Sequence, residues 1–183
     1  MMPAVPMSLL RGPRVSLAPF TAADITDGYI GWLNDPEVVR YSNQRFVRHT
    51  RESCERYFAG FAGSANVFAS LRWHPADGSV RAVGTLTAYR SLPHGTADVG
   101  ILLGDRSARG QGLGLEAWRL MLDWLLDTPG LRTVTAGTLA ANQAMRTVAE
   151  RSGMHCEGRR VAQELVDGEP TDILYFARFR NAA

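Results

Sequence analysis

Apolar residues along the chain fall into short strand-like runs, separated by longer segments with helical periodicity. The runs predict strands at 14–18, 67–71, 80–89, 97–103 and 131–136, with two more around the Asp167-Gly168 turn. Turn residues at 76–79 join the second and third runs, and Asp167-Gly168 joins the last two. Both pairs are therefore expected to form antiparallel hairpins.

Helix signals fill the gap between the first two strands. Thr21 is a good N-cap with Asp24 three residues on, which predicts a helix to about Leu33. Pro36 favours the first position of a short second helix, and Thr50 caps a third. The apolar face of this third helix is expected to consist of Tyr57, Phe58 and Phe61.

The clearest amphipathic helix lies between the strands at 97–103 and 131–136. One stripe of this helix carries Leu115, Trp118, Leu122, Leu125 and Leu126. A further helix is expected to begin at Asn142 and to end at Gly153. Taken together, the elements predict an α/β chain in the order β-α-α-β-β-β-α-β-α-β-β. This order indicates a mixed, partly antiparallel sheet with one central βαβ unit.

Composition narrows the function classes. The chain has 183 residues, 45% hydrophobic and 21% charged residues, and a formal net charge of +2. It is therefore expected to form one domain over 1–183, without a nucleic-acid or membrane surface. Residues 1–13 are expected to be a loose N-terminal tail. Two isolated cysteines, Cys54 and Cys156, indicate reduced thiols and a cytoplasmic location, and four scattered histidines predict no metal site.

A glycine-rich segment separates the strand at 97–103 from the amphipathic helix. It reads Arg109, Gly110, Gln111, Gly112, Leu113, Gly114. A glycine-rich turn at a helix N-terminus suits a pyrophosphate, because backbone N–H groups converge there and the helix dipole adds positive charge. A Walker loop is excluded because the chain has no lysine, and the glycine spacing does not match a dinucleotide fingerprint. An ordinary glycine turn that opens a helix remains the alternative.

The spacing Arg-x-x-Gly-x-Gly, between that strand and that helix, resembles the acetyl-CoA motif of the GNAT superfamily of N-acetyltransferases. A second segment is similar to the family pattern after the fifth strand; it carries Asn142, Met145, Val148, Glu150, Arg151, Gly153 and Met154. The resemblance implies the GNAT fold: a mixed, largely antiparallel sheet of about seven strands, with helices on both faces and a splayed βαβ cofactor site.

Features near both ends resemble one branch of this superfamily. They are the segment 32–38, the run 157–159, the Asp167-Gly168 turn, Asp172 and Tyr175. This branch includes ribosomal-protein N-terminal acetyltransferases and relatives that acetylate amino sugars.

The resemblance also implies how acetyl-CoA would bind. The strand before the glycine turn would bond the pantetheine arm through the backbone of Ile101, Leu102 and Leu103, and the turn amides would hold the pyrophosphate. Asn142 would contact the cofactor arm and Arg151 a phosphate. Each of these two has an alternative, since Asn142 is also a plain N-cap and Arg151 a solvated surface residue.

For catalysis, the resemblance places a general base at Asp98 and an oxyanion donor at a backbone N–H near Leu102 or Leu103. The alternative for Asp98 is a structural aspartate at a strand edge. The family's usual proton donors are absent, because their positions are Ala149 and Met145. Three accounts remain open: a tyrosine such as Tyr175 or Tyr41, a water molecule, or weak or absent activity.

The acceptor site is expected between the first helices and at the last hairpin. Candidate substrate-binding residues are Tyr41, Asn43, Arg45 and His49, with Arg45 suited to a phosphate or carboxylate. The favoured function is acetylation of a small-molecule amine, with a free or nucleotide-linked amino sugar as the narrower expectation. The alternatives are a protein N-terminal acetyltransferase and a degenerate acyl-CoA-binding protein. A homodimer is possible.

Overall fold

The computed structural model describes residues 5–180 of the chain. Its strands are β1 (Leu10–Arg11), β2 (Val15–Pro19), β3 (Val67–Trp73), β4 (Arg81–Ser91), β5 (Thr96–Leu103), β6 (Thr133–Leu139), β7 (His155–Val166) and β8 (Glu169–Phe179). They form one sheet in the order β1-β2-β3-β4-β5-β6-β8-β7. All neighbours are antiparallel except β5 and β6, which are parallel. The expected α/β class and mixed, mostly antiparallel sheet are confirmed.

The helices are α1 (Asp27–Asn34), α2 (Pro36–Val39), α3 (Arg51–Ala59), α4 (Leu113–Asp127) and α5 (Gln143–Arg151). Side-chain caps explain several of their starts. Thr50 accepts a hydrogen bond from the Ser53 N–H at the start of α3, and Asn142 accepts one from the Met145 N–H at the start of α5. Both caps agree with the sequence-based expectation.

Helices cover both faces of the sheet. On one face α4 inserts Trp118, Met121 and Leu122, all fully buried, against the inward side chains of the central strands, and α5 packs beside it. On the other face α1 and α3 surround a second cluster that contains Phe20 and Phe68. These two rings stack with centroids 4.0 Å apart. Because successive side chains of a strand point to opposite faces of the sheet, the strands contribute to two separate cores.

The parallel pair β5 and β6 separates soon after it begins. Pairing covers only Thr96–Asp98 against Thr133–Thr135. Beyond Asp98, β5 stays paired with β4 on one side, while β6 stays paired with β8. The facing edges of residues 99–103 and 136–139 are consequently free, and this is the splay that the family resemblance implies.

The N-terminal residues correct two expectations. Leu10 and Arg11 of the expected loose tail form β1, and Leu10 packs against the main core. The sheet therefore has eight strands rather than seven; residues 1–4 lie outside the described part.

The single helix expected from Thr21 is divided into a 3₁₀ turn (Ala22–Asp24) and α1, because Thr26 supplies a second N-cap.

Side-chain placement differs in two helices as well. In α3 the buried residue is Cys54, while Tyr57 is 40% exposed and Phe58 and Phe61 are only partly buried. In α4 Leu115 leaves the core stripe and faces the splay instead. In each helix, part of the surface that was expected to pack in the core lines a cleft instead.

Candidate functional site

The splay opens into a cleft of about 1100 Å³ that crosses the sheet. On one side it is bounded by the N-terminus of α4 and by α5, and on the other by α1, α3 and the segment that follows α2. Residues 99–103 of β5 form its floor. The cleft thus has a cofactor half near the glycine turn and an acceptor half near α1 and α3.

The glycine turn has the backbone shape expected of an anion site. Gly110 and Gly112 have φ of +73° and +77°, a region that side chains with a Cβ rarely adopt. A Cβ at Gly110 would meet open space. A Cβ at Gly114 would lie 3.9 Å from the side chains of Ile101 and Leu103. The absence of side chains therefore leaves the turn accessible from the cleft.

Backbone donors gather at the start of α4. The first helical bond is donated by the Glu116 N–H to Gly112 O at 3.1 Å, so the N–H groups of residues 113–115 precede the helical ladder. Together with the helix dipole they favour a bound anion. A pyrophosphate group fits this turn, and a pantetheine arm fits the free edge of β5.

Most of the predicted cofactor residues meet in this half of the cleft. The lining includes Ile101, Leu102, Leu103, Arg109, Gly110, Gly112, Leu113, Gly114, Asn142 and Arg151. Gln111 does not line the cleft, and its side chain bonds Ser107 O instead. Asn142 both caps α5 and faces the cleft, so its two expected roles are compatible.

Asp98 lies at the last position where β5 pairs with β6. Its Oδ2 accepts a hydrogen bond from Thr135 Oγ1 at 2.8 Å. The residue is exposed and does not line the cleft, but Gly100, two positions along the strand, does. Partial desolvation of the carboxyl group raises the pKa of Asp98 above its usual range, and the Thr135 hydrogen bond opposes this rise. Asp98 is therefore a stronger base than an ordinary aspartate.

Tyr175 enters the cleft from β8. It is paired with Gly137 of β6, and a Cβ on Gly137 would lie 3.6 Å from its ring. The Arg160 guanidinium also lies over the ring, 5.3 Å from its centroid. The two usual donor positions are apolar: Ala149 is fully buried and Met145 lines the cleft. Tyr175 thus supplies a hydroxyl from β8, the strand next to β6.

The acceptor half contains three of the four predicted substrate residues. Tyr41, Asn43 and His49 line it, whereas Arg45 does not. The Arg45 guanidinium donates to Ser42 O at 2.8 Å and Leu165 O at 2.9 Å. The same group lies 3.8 Å from the Glu164 carboxylate. Its donors are directed to the protein, so Arg45 ties two segments together rather than presenting a charge to the cleft.

The β7–β8 hairpin covers one side of the acceptor half. Besides the Arg45 contacts, Arg40 at the end of α2 donates to Asp167 at the hairpin turn at 2.6 Å. The hairpin therefore narrows the entrance to the acceptor half.

Several lining residues were not among the predicted site residues. Thr85 and Thr87 of β4 face the cleft, and a Cβ on Gly100 would lie 3.2 Å from Thr87 Oγ1. Tyr57 also lines it, with its hydroxyl 2.6 Å from that of Tyr89. Burial raises the pKa of Tyr57, so its hydroxyl stays protonated. The threonines could have been found from the alternation along β4, but the Tyr57 contact depends on how α3 packs.

Three further observations concern the described residues. Within 5–180, no group of three or more metal-ligating side chains is clustered. Cys54 is buried and Cys156 is exposed, and neither forms a disulfide. In the same range, no helix combines the length and apolar character needed to span a membrane.

Residues 14–155 match the model of the acetyltransferase (GNAT) domain. The chain belongs to the GNAT acetyltransferase family. As a GNAT acetyltransferase it is an acyltransferase that uses acetyl-CoA. The match includes the glycine turn, the splayed strands and α5. No curated protein sequence matches the chain.

Solved structures of other GNAT acetyltransferases share the fold. The ribosomal L7/L12 α-N-protein acetyltransferase RimL with coenzyme A is 16% identical, with a TM-score of 0.79 over 96% of this chain and 100% of that one. Spermidine N-acetyltransferase from Vibrio cholerae, in complex with CoA and spermine, is 14% identical. Its TM-score is 0.80 over 92% of this chain and 97% of that one.

A third example, ribosomal-protein-S5-alanine acetyltransferase from Vibrio fischeri, is 15% identical. Its TM-score is 0.78 over 96% of this chain and 98% of that one. At such identities the likeness shows the shared fold, while the acceptor has to be argued from the cleft itself.

Proposed function

We propose that this GNAT acetyltransferase transfers the acetyl group of acetyl-CoA to the primary amine of a small polar molecule, with a free amino sugar as the favoured acceptor. The observation that carries the proposal is the shape of the cleft. One end offers the glycine turn and the free edge of β5, and the other is a chamber lined by both polar and apolar side chains and narrowed by the β7–β8 hairpin.

The first chemical requirement is removal of a proton from the acceptor ammonium, whose pKa is about 10. Asp98 is the proposed base because it lies on the acceptor face at the origin of the splay and has a raised pKa. Since it does not line the cleft, we expect a water molecule near Gly100 to connect it to the amine. Thr135 holds the carboxylate in place for this relay.

The second requirement is stabilisation of the oxyanion and of the departing thiolate. Backbone N–H groups on the free edge near Leu102 and Leu103 are the proposed oxyanion donors, because pairing with β6 ends at Asp98. The Tyr175 hydroxyl is the proposed proton donor to the sulfur. It replaces the donor that the family places at the position of Ala149, which here is buried and apolar.

The chemistry of the acceptor half favours a small molecule without phosphate. Its polar groups include hydroxyls, the amides of Asn43 and Gln44, an imidazole and the carboxylates of Glu37 and Glu164. Arg45, the expected anchor for a phosphate, is held by Ser42, Leu165 and Glu164. A free amino sugar offers the matching hydroxyl groups and an amine. The nucleotide-linked form is therefore the less favoured acceptor.

A protein N-terminus is the second candidate. The similarity to two ribosomal-protein acetyltransferases over 96% of the chain supports it. An extended peptide needs an open groove, however, and the contacts Arg40–Asp167 and Arg45–Leu165 place the hairpin across one side of the acceptor half. The apolar Ala149 and Met145 positions support a third candidate, an acyl-CoA-binding protein without turnover.

The test is CoA release from acetyl-CoA with three acceptor panels: free amino sugars, nucleotide-linked amino sugars and short peptides with free N-termini. An enzyme-only reaction corrects for labelling of the exposed Cys156 by thiol reagents. Release with free amino sugars supports the proposal, and release only with peptides replaces it by the second candidate. Binding of acetyl-CoA without release on any panel favours the third.

A further inference from the structure

Glu116, in the first turn of α4, is bonded to the chain just before β2. Its Oε1 accepts hydrogen bonds from the backbone N–H groups of Arg14 at 2.7 Å and Val15 at 3.1 Å. Its Oε2 accepts one from Arg14 Nε at 3.1 Å. A Cβ on Gly12 would lie only 2.8 Å from Oε1, so glycine at that position permits the close approach.

The other end of the Arg14 side chain reaches the glycine turn. Its Nη1 donates to Gln111 O at 2.9 Å. Its Nη2 lies 3.6 Å from the position that a Cβ on Gly112 would occupy. One guanidinium, from the residue that precedes β2, therefore bridges the Glu116 carboxylate and the carbonyl of the turn.

This bridge determines which way one peptide of the turn faces. In a trans peptide the carbonyl and the following N–H point in opposite directions. Because Gln111 O is directed to Arg14, the Gly112 N–H is directed away from Arg14. Gly112 lines the cleft, whereas Gln111 and Arg14 do not. The arrangement thus turns the Gly112 N–H toward the side of the turn where the pyrophosphate is proposed to bind.

Such an anchor matters because the turn is rich in glycine. Gly110, Gly112 and Gly114 lose much conformational freedom when the turn is ordered. A turn that is already ordered before the cofactor arrives does not pay this entropy on binding.

We propose that Arg14, held by Glu116, is a positioning residue that preorganises the glycine turn for the pyrophosphate of acetyl-CoA. Arg14 acts through the Gln111 carbonyl and contributes to affinity for that part of the molecule alone. The inference rests on the proposed placement of the pyrophosphate at residues 109–114.

The experiment compares two ligands by protein-detected NMR titration: CoA, and acetyl-pantetheine, which lacks the pyrophosphate together with the phosphorylated adenosine attached to it. Arg14→Ala is expected to weaken CoA binding about tenfold, the loss typical of a charged hydrogen bond, and to change acetyl-pantetheine binding less than about twofold. Arg14→Lys keeps the charge but not the forked contacts, and a smaller selective loss is expected. The control, Arg11→Ala on β1, should bind both ligands as the wild type does.

Three results would count against the proposal. Wild-type affinity of Arg14→Ala for CoA would overturn it, and so would an equal loss for both ligands, which indicates a general structural role. If Arg14→Ala does not fold, Arg14→Lys decides the question by the same comparison of its loss of affinity for CoA with its loss of affinity for acetyl-pantetheine. Equal binding of CoA and acetyl-pantetheine by the wild type would instead overturn the placement of the pyrophosphate itself.

Discussion

Thr135 donates a hydrogen bond to Asp98 at 2.8 Å across the last paired position of β5 and β6. One residue further along, the two strands have no pairing between them. The contact therefore fixes a carboxylate at the point where the cleft begins. Its partial desolvation raises the pKa of Asp98, which brings the group closer to the strength that a general base needs.

Replacement of this carboxylate tests the base. Asp98→Asn preserves the size of the side chain and an acceptor for Thr135 but removes the basic oxygen. We expect kcat to fall about a hundredfold, with partial recovery at high pH where the acceptor amine deprotonates by itself. KM for acetyl-CoA should change little. The measurement is the pH dependence of kcat for the wild type and Asp98→Asn, with Asp127→Asn, an exposed residue on α4, as the control. A pH profile of Asp98→Asn that matches the wild type would show that Asp98 is not the base.

The same substitution has a predicted effect on stability. A carboxyl group whose pKa is raised by folding contributes fully to stability at pH values below its pKa in the unfolded chain, which is near 3.8. This contribution is lost as the pH rises through the pKa of the same group in the folded protein. At pH 7 the ionised carboxylate of the wild type is therefore unfavourable. Asp98→Asn should raise the free energy of unfolding at pH 7 and lose this advantage at pH 3.

Urea denaturation of both proteins at the two pH values gives the comparison, with Asp127→Asn again as control. A difference between wild type and Asp98→Asn that is the same at pH 3 and pH 7 would show that the pKa of Asp98 is not raised by folding.

The sequence predicted those features whose signals are local. Asn142 and Thr50 are found as caps because a cap needs only the next three residues. The glycine turn is equally local. Arg45, by contrast, was expected to face an anion, and its contact with Leu165 joins residues 120 positions apart. No local pattern encodes such a pairing, so its role emerged only from the fold.

The same reasoning explains the N-terminal segment. Leu10 and Arg11 form too short a strand to show an alternating pattern, and their order comes from pairing with Leu17 and Ser16. Arg14 is similar: as a single arginine beside an apolar run it carries no signal, and its contact with Gln111 spans 97 positions.

The glycine turn can be tested with a charge at its centre. Gly112→Glu places a carboxylate where the pyrophosphate is proposed to bind and forces a Cβ into φ of +77°. We expect acetyl-CoA binding to be lost by calorimetry. Gly63→Glu is the matched control, because Gly63 has φ of +69° in a turn with open space around it. A Gly112→Glu variant that binds acetyl-CoA as the wild type does would contradict the cofactor assignment.

The proton donor is tested by removal of one oxygen. Tyr175→Phe keeps the ring between Gly137 and Arg160 but deletes the hydroxyl. We expect kcat to fall about a hundredfold, as for the loss of a general acid, with KM for acetyl-CoA unchanged. Tyr41→Phe is the comparison, because Tyr41 also lines the cleft. A loss of kcat in Tyr41→Phe alone would assign the donor to Tyr41.

The hairpin contacts differ in burial, and this sets their expected effects. The Arg45 side chain is 15% exposed and donates to Ser42 O in a partly buried contact, so Arg45→Ala leaves this acceptor unpaired and removes the partner of the Glu164 carboxylate. We expect a loss of about 1 to 3 kcal/mol in unfolding free energy and a higher KM for the acceptor.

Arg40, in contrast, is 53% exposed and pairs with Asp167, which is 68% exposed. Ion pairs in such positions are screened by solvent, so Arg40→Ala should leave stability and KM near those of the wild type. Denaturant unfolding and acceptor titrations of the two variants give the comparison. Equal effects of both substitutions would mean that the hairpin does not shape the acceptor half through Arg45. A lower KM for peptide acceptors in Arg45→Ala, with loss of activity on amino sugars, would show that the closed hairpin excludes extended chains.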